Sequence, residues 1–168
     1  PTVIKAADGY FYVYATESTR NVPIMKSKDL VEWTYCNTAF TNKPRPRFEP
    51  KAGIWAPDIN YINGKYVLYY AMSVWGGEQT CGIGVATANS PQGPFTDHGK
   101  MFRSNEIGVQ NSIDPSLLQY EGRNYLVWGS FRGIYVIELT ADGLSIMSGA
   151  KKKRIAGTAF EAVYIHKH

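Results

Sequence analysis

Residues 57–70 read PDINYINGKYVLYY, in which two runs rich in aromatic and β-branched residues flank the pair Asn63-Gly64. An Asn-Gly pair is a strong signal for a tight hairpin, because both central residues of a type I′ turn need positive φ. Aromatic and β-branched residues are also the ones that β-strands favour. This stretch therefore predicts a β-hairpin.

The same hairpin pattern occurs in two other parts of the chain. Residues 1–14 carry it around an Asp-Gly pair, and residues 115–128 carry it around a Glu-Gly pair. A second pair of strand-like runs follows each copy, so each repeat of roughly 57 residues holds about four strands. Four strands in a repeat of this length predict the blades of a β-propeller. A sandwich of hairpins is the competing architecture, but it does not predict such regular recurrence.

The repeats divide the chain into predicted blades. We predict one all-β domain over residues 1–168, an incomplete β-propeller with about three blades plus the first strand of a fourth. The predicted blades cover about 1–50, 51–108 and 109–157, and the fourth begins at 158–168. No segment has a sustained helical period. Because a closed propeller needs roughly four to eight blades, we expect the full protein to be longer at both ends.

The composition is that of a globular domain, with 44% hydrophobic and 19% charged residues. The net charge is +4, but four of the cations form the run 151–154 between two strand-like segments, where we expect a solvated turn. No nucleic-acid motif accompanies this charge, so we expect no nucleic-acid partner. No stretch has the length of a transmembrane helix, and we expect no membrane partner. Cys36 and Cys81 lack metal-type spacing and are predicted to be free.

Acidic residues recur near the start of the innermost strand of successive repeats, at Asp58, Asp114 and Glu161. Because the innermost strands of a propeller line one channel, we expect the three carboxyl groups to converge. Hydrolysis of a glycosidic bond needs a proton donor and a base, and carboxyl groups can supply both. A single acid before a strand is more often a solvated loop residue, but the equivalent positions of these three favour a shared site.

The stretches around these acids resemble glycoside hydrolase family 43, the five-bladed propellers that include arabinanases, α-L-arabinofuranosidases and β-xylosidases. Trp-Ala-Pro-Asp at 55–58 together with Ile-Asp-Pro-Ser at 113–116 is a fairly specific pair. The segment 128–139 is most similar to the arabinanase branch. The resemblance covers essentially the whole chain in the family's order, since matches also occur at residues 1–4, 64–70 and 160–165.

The resemblance implies catalytic roles for individual residues. Glu161 matches the family's general acid, and Asp114 matches the aspartate that tunes the acid and orients the sugar. The family's general base immediately precedes the motif that starts here at Pro1, so its position lies before the first residue. Family members invert the anomeric carbon. Val163 stands where the family usually has proline, and we expect this change to preserve the direction of Glu161.

The resemblance also implies the protein's setting. Family members often bind calcium on the central axis with a histidine from a later blade, so calcium is a candidate ligand of the intact protein. No cofactor or metal is expected within residues 1–168. By the same resemblance we expect a secreted or periplasmic protein. Because the base position and two blades lie outside the sequence, we expect residues 1–168 to be inactive by themselves.

Other side chains are candidates for substrate binding. Trp75 lies on a glycine-rich loop, where an exposed aromatic residue suits sugar stacking. Trp55 either stacks on a sugar or packs between blades, and Asn111 and Ser112 either bind sugar hydroxyls or cap a turn. The proline-rich run 43–50 either overhangs the cleft or is a stiff connector. The full set of predicted substrate-binding residues is Asp58, Trp55, Trp75, Asn111, Ser112 and Ser130.

Together these features predict an inverting glycoside hydrolase for carbohydrates that contain α-L-arabinose, either an endo-1,5-α-L-arabinanase or an α-L-arabinofuranosidase. A β-xylosidase of the same family, acting on xylose-containing carbohydrate, is one alternative. A carbohydrate-binding propeller without catalysis is an alternative of a different class. An aspartate immediately before Pro1 favours the enzyme, and any other residue there favours the binding protein.

Overall fold

The computed structural model describes residues 1–17, 21–43 and 45–166. Within these residues, twelve strands form three four-stranded antiparallel sheets. In every sheet the strands neighbour one another in chain order, which is the arrangement of a propeller blade. The prediction of an all-β chain with four strands in each repeat is confirmed.

The three sheets follow one another along the chain. Sheet 1 contains β1 Thr2–Lys5, β2 Phe11–Tyr14, β3 Pro23–Ser27 and β4 Thr34–Thr38. Sheet 2 contains β5 Gly53–Ile62, β6 Lys65–Ser73, β7 Gly82–Ala88 and β8 Thr96–Arg103. Sheet 3 contains β9 Ser116–Tyr120, β10 Arg123–Trp128, β11 Ile134–Leu139 and β12 Lys153–Ala156. Sheets 2 and 3 are joined through the short helix α1 Ser104–Ile107.

Two of the predicted hairpin turns have the backbone that their sequence requires. Asn63 and Gly64, between β5 and β6, have φ values of 49° and 81°. Glu121 and Gly122, between β9 and β10, have φ values of 49° and 74°. The Asp-Gly turn of sheet 1 is wider, because β1 ends at Lys5 and β2 starts only at Phe11, and of that pair only the glycine has positive φ.

Strand β6 is buried on both faces, because sheet 2 lies between the other two sheets. Successive side chains of a strand point to opposite faces. Leu68 and Tyr70 therefore pack against sheet 1, whereas Val67 and Tyr69 pack against sheet 3. Sheet 1 contributes Tyr12, Tyr14 and Ile24 to the first of these cores, and Phe40 joins them from the segment after β4. Sheet 3 contributes Leu126, Trp128, Ile137 and Leu139 to the second.

The structure differs from the repeat pattern in two places. No strand is assigned within residues 157–166, where the pattern predicts the first strand of a fourth blade, and the rest of that predicted range lies outside the described residues. The Phe131 N–H donates to the Phe160 carbonyl oxygen at 2.9 Å, but a strand requires a continuous ladder of such bonds.

The basic run 151–154 is not all turn, because Lys153 begins the exposed edge strand β12, and edge strands tolerate charged side chains.

Replacing Gly84 by alanine tests how tightly sheet 2 packs. A Cβ at Gly84 would lie 2.3 Å from the fully buried ring of Tyr70. Because overpacking a core costs about 1–3 kcal/mol, we expect Gly84→Ala to lower the free energy of unfolding by about 2 kcal/mol in urea denaturation. Gly157→Ala is the matched control, since a Cβ there meets no atom within 4 Å. Equal stability of the two variants would contradict this packing.

Candidate active site

Loops from all three sheets enclose a cavity of about 590 Å³, which we call the cleft. Its walls come from the loops after β2, β6 and β10, from the start of β5 and from the segment before β9. Asp58 and Ser112 lie outside it. Six of the predicted site residues line the cleft together, namely Trp55, Trp75, Asn111, Asp114, Ser130 and Glu161.

Asp114 is fixed by its own backbone and by the segment that carries Glu161. Its φ is 56°, in the left-handed region, and its Oδ2 accepts a hydrogen bond from the Ala162 N–H at 3.1 Å. Burial raises the pKa of Asp114, the Ala162 N–H opposes the rise, and the Glu161 carboxylate adds to it. Both residues line the cleft, and Asp114 contacts the residue next to Glu161, as the blade register predicts for this pair; their catalytic roles stay predictions.

Glu161 is exposed at the cleft, and a buried serine holds its carboxylate. The Ser130 hydroxyl donates to Glu161 Oε2 at 3.2 Å, while Ser130 itself is only 1% exposed. The Asn111 side-chain amide donates to the Ser130 carbonyl oxygen at 3.1 Å. Ser130 lines the cleft with its hydroxyl bonded to the predicted acid, and its role in substrate binding stays a prediction. Asn111 lines the cleft, but its amide supports the loop of Ser130.

Two tryptophans form an aromatic wall of the cleft. Trp75 lies on the loop after β6 and is 95% exposed. Trp55 is half-buried and packs against a small core of Ala71, Cys81 and Ile113. The ring centroids of Trp55 and Trp75 are 5.5 Å apart, with the planes tilted by 50°. Trp55 thus supports Trp75 from inside, and an exposed ring face is left for a ligand.

Ser112 is fully buried and serves the core. Its hydroxyl donates to the Val109 carbonyl oxygen at 2.8 Å and accepts a hydrogen bond from Trp128 Nε1 at 3.0 Å. The hydroxyl satisfies the indole N–H of a large buried side chain, as buried polar groups require. The prediction that Ser112 binds sugar is corrected, and the turn-capping alternative is closer to what the structure shows.

Asp58 joins the first strands of all three sheets. Its Oδ1 accepts a hydrogen bond from Thr2 Oγ1 of β1 at 3.3 Å, and its Oδ2 accepts one from the Leu117 N–H of β9 at 2.8 Å. Asn60 also donates to Oδ2, at 2.7 Å. Asp58 is 7% exposed, and burial raises its pKa, although the Leu117, Asn60 and Thr2 donors oppose the rise. With both oxygens occupied, Asp58 links strands; it also lines a small cavity with Asp114, and its role in substrate binding stays a prediction.

An ion pair that the sequence patterns missed joins the loops of sheets 2 and 3 at the cleft. Arg132 Nη2 lies 3.0 Å from Glu78 Oε2, which also accepts a hydrogen bond from Gln110 Nε2 at 2.7 Å. The Asn111 N–H donates to the Glu78 carbonyl oxygen at 2.7 Å. These contacts fix the loop of Trp75 to the loop of Ser130. The partners are 54 residues apart, and no local motif marks the pair.

The proline-rich run 43–50 borders a second cavity of about 990 Å³ beside the cleft. Both nitrogens of the Arg45 fork donate to the Glu17 carboxylate at 2.8 Å, and Glu17 lines both cavities. The Ile54 N–H also donates to Glu17, at 2.7 Å. Arg45 therefore anchors the run to sheets 1 and 2, which agrees with a connector; Pro44 lies outside the described residues.

Within the described part of the chain, no group of three or more His, Cys, Asp or Glu side chains could hold a metal ion. A calcium site for the intact protein stays a prediction.

None of the helices described has the length and apolar character needed to span a bilayer. Cys36 and Cys81 form no disulfide, as predicted.

Comparison with known proteins decides the family. A family model described as glycosyl hydrolases family 43 matches residues 1–168. The chain belongs to glycosyl hydrolase family 43. The resemblance in the sequence motifs is thereby confirmed, and the three sheets are part of a family 43 propeller.

Several family 43 relatives are arabinanases. The chain is 37% identical over 139 residues to the extracellular endo-α-(1→5)-L-arabinanase 1 of Bacillus subtilis, covering 78% of this chain and 42% of that protein. The structure of native Bacillus subtilis arabinanase Arb43A superposes with a TM-score of 0.77 at 33% identity, covering 89% of this chain and 54% of that one. The structure of Cellvibrio cellulosa α-L-arabinanase complexed with arabinohexaose superposes with a TM-score of 0.80 at 27% identity. That match covers 92% of this chain and 52% of the Cellvibrio chain. The chain thus spans about half the length of the relatives it matches.

Replacing Asp58 by alanine tests its role as a link between strands. The substitution leaves the buried Leu117 N–H without an acceptor, so we expect the free energy of unfolding to fall by about 2–3 kcal/mol in urea denaturation. Glu32→Ala, which removes an exposed carboxylate in the connection between β3 and β4, is the control and should change the free energy of unfolding by less than about 0.5 kcal/mol. Unchanged stability of Asp58→Ala with weakened sugar binding would contradict the linking role and favour substrate binding.

Proposed function

We propose that this chain carries the general acid of an inverting endo-acting arabinanase that cleaves α-1,5-linked L-arabinan. The observation that supports this best is that Asp114 and Glu161 line one cleft of a family 43 chain, where Asp114 Oδ2 accepts a hydrogen bond from the N–H of Ala162, the residue next to Glu161. The named arabinanases among its relatives favour arabinan over the xyloside alternative. Its similarity to an extracellular arabinanase of Bacillus subtilis supports action outside the cytoplasm.

In the proposed reaction, Glu161 gives a proton to the glycosidic oxygen of the leaving sugar. Its carboxyl is exposed to the cleft, where a substrate can reach it. Asp114 holds the backbone beside Glu161 through the Ala162 N–H. This hydrogen bond keeps the acid in place while the glycosidic bond breaks.

The base that activates water is proposed to be the residue immediately before Pro1. Pro1 lines a small cavity of about 80 Å³ together with Asp58, Asp114 and Ala162. A carboxylate that precedes Pro1 would therefore enter the site next to Asp114. An inverting reaction needs a base on the face opposite the acid, with room for one water between the two carboxyl groups.

The aromatic wall is proposed to bind the sugar chain. Aromatic rings offer flat apolar faces that suit the C–H faces of sugars. Trp75 presents such a face at the mouth of the cleft, and Trp55 supports it from behind. The structure of the Cellvibrio relative with arabinohexaose supports an arabino-oligosaccharide as the ligand.

Removing the proton of Glu161 tests the catalytic proposal. We expect Glu161→Gln in the whole protein to lower kcat on linear arabinan by at least about a hundredfold, since general acid catalysis contributes that much or more. Release of reducing sugar measures the rate. Glu121→Gln, on the exposed hairpin turn of sheet 3, is the control and should keep the rate of the unmodified protein. Full activity of Glu161→Gln would contradict the assignment.

Two outcomes would favour the other candidate functions. An unmodified protein that binds arabinohexaose in calorimetry but releases no sugar from arabinan would be a binding propeller. Faster hydrolysis of xylosides than of arabinan would favour the β-xylosidase. A rapid fall in arabinan viscosity supports endo action.

Replacing Trp75 by alanine tests the aromatic wall. Loss of one stacked ring is expected to weaken arabinohexaose binding about tenfold, measured by calorimetry on the Glu161→Gln background so that the ligand stays intact. Trp33→Ala, in the connection between β3 and β4 and outside the lining of the cleft, is the matched control. Equal affinity of the two variants would exclude Trp75 from the binding site.

A further inference from the structure

Ser130 is a buried residue in contact with the proposed general acid. It is almost fully buried, yet its hydroxyl contacts a carboxylate that is exposed in the cleft. A ligand in the cleft can therefore reach Glu161, whereas very little of the Ser130 surface is accessible.

The backbone around Ser130 is held from several directions. The Gly129 N–H donates to the Ile113 carbonyl oxygen at 2.9 Å, and the Asn111 amide donates to the Ser130 carbonyl oxygen. On the other side, the Phe131 N–H donates to the carbonyl oxygen of residue 160, next to the acid. The hydroxyl is thus presented by a fixed turn and not by a free loop.

The geometry points to Ser130 as a positioning residue for Glu161. A general acid carries its proton on one of its two oxygens. The Ser130 hydroxyl donates to Oε2, so Oε1 is left to carry the proton toward the substrate. The inference rests on the proposed function, because it concerns the acid of that same site.

The role predicts a specific kinetic effect. Proton donation matters most when the leaving group is a poor one, such as a sugar alcohol, and least when it is an acidic phenol. A residue that only orients the acid should therefore affect poor leaving groups selectively. A residue that only maintains the fold should affect all substrates alike.

The test compares Ser130→Ala with Ser130→Thr in the whole protein, on arabinan and on aryl arabino-oligosaccharides whose phenols differ in acidity. For Ser130→Ala we expect a loss of kcat of about tenfold or more on arabinan and of less than about threefold on the most acidic phenol, with KM nearly unchanged. Ser130→Thr keeps a hydroxyl and should recover most of the rate. Equal losses on all substrates, or no loss, would overturn the proposal.

Ser112→Ala is the matched control. It removes a buried hydroxyl in the segment between α1 and β9. That hydroxyl contacts Val109 and Trp128 and no cleft carboxylate. We expect it to lower stability without changing the dependence on the leaving group. If it steepens that dependence as much as Ser130→Ala does, the effect is structural and the proposal fails.

A crystal structure of Ser130→Ala gives a readout that does not depend on activity. We expect the Glu161 carboxyl to leave its single orientation or to occupy several orientations. An unchanged, single orientation would overturn the positioning role. Absence of arabinan hydrolysis by the unmodified protein would contradict the proposed function instead, while this structural comparison still decides whether Ser130 orients Glu161.

Discussion

The Asp58 carboxylate is the contact on which the rest of the structure depends, because it bonds to the first strands of all three sheets. Thr2 of β1 and Leu117 of β9 donate to its two oxygens, and Asp58 itself belongs to β5. A buried carboxylate is costly unless its oxygens are satisfied, and here the donors come from neighbouring blades. The charge therefore fixes how the innermost strands lie against one another.

The cleft follows from this arrangement through a short series of contacts. Leu117 lies at the start of β9, and Asp114 lies just before it, so the Asp58 bond also sets where Asp114 enters the cleft. Asp114 in turn holds Ala162, and Ser130 holds the carboxylate of Glu161. The ion pair between the loops of sheets 2 and 3 is half-exposed, and such pairs add about 1 kcal/mol or less to the free energy of unfolding. Its main effect is therefore to fix the two loops relative to each other.

Local turn chemistry and the repeat were sufficient to predict the hairpins, the three blades and the convergence of Asp114 with Glu161. The role of Asp58 was not predictable, since its partners lie on other strands and only the packed structure shows that it is buried. The same holds for Ser112 and Ser130, whose hydroxyls bond to Trp128 Nε1 and to Glu161 from positions that only the packed structure shows to be buried. Ion pairs between residues 28 or 54 positions apart leave no local pattern in the sequence.

A crystal structure of the whole protein, with Glu161→Gln to prevent cleavage and with arabinohexaose bound, tests the central claim most directly. The account predicts a glycosidic oxygen within hydrogen-bond distance of the side chain at position 161, about 3 Å, and a sugar ring against Trp75. It also predicts that Asp58 keeps its bonds to Thr2 and Leu117 and touches no sugar. A ligand bound outside the cleft, or bound by Asp58 in place of the side chain at position 161, would contradict the account.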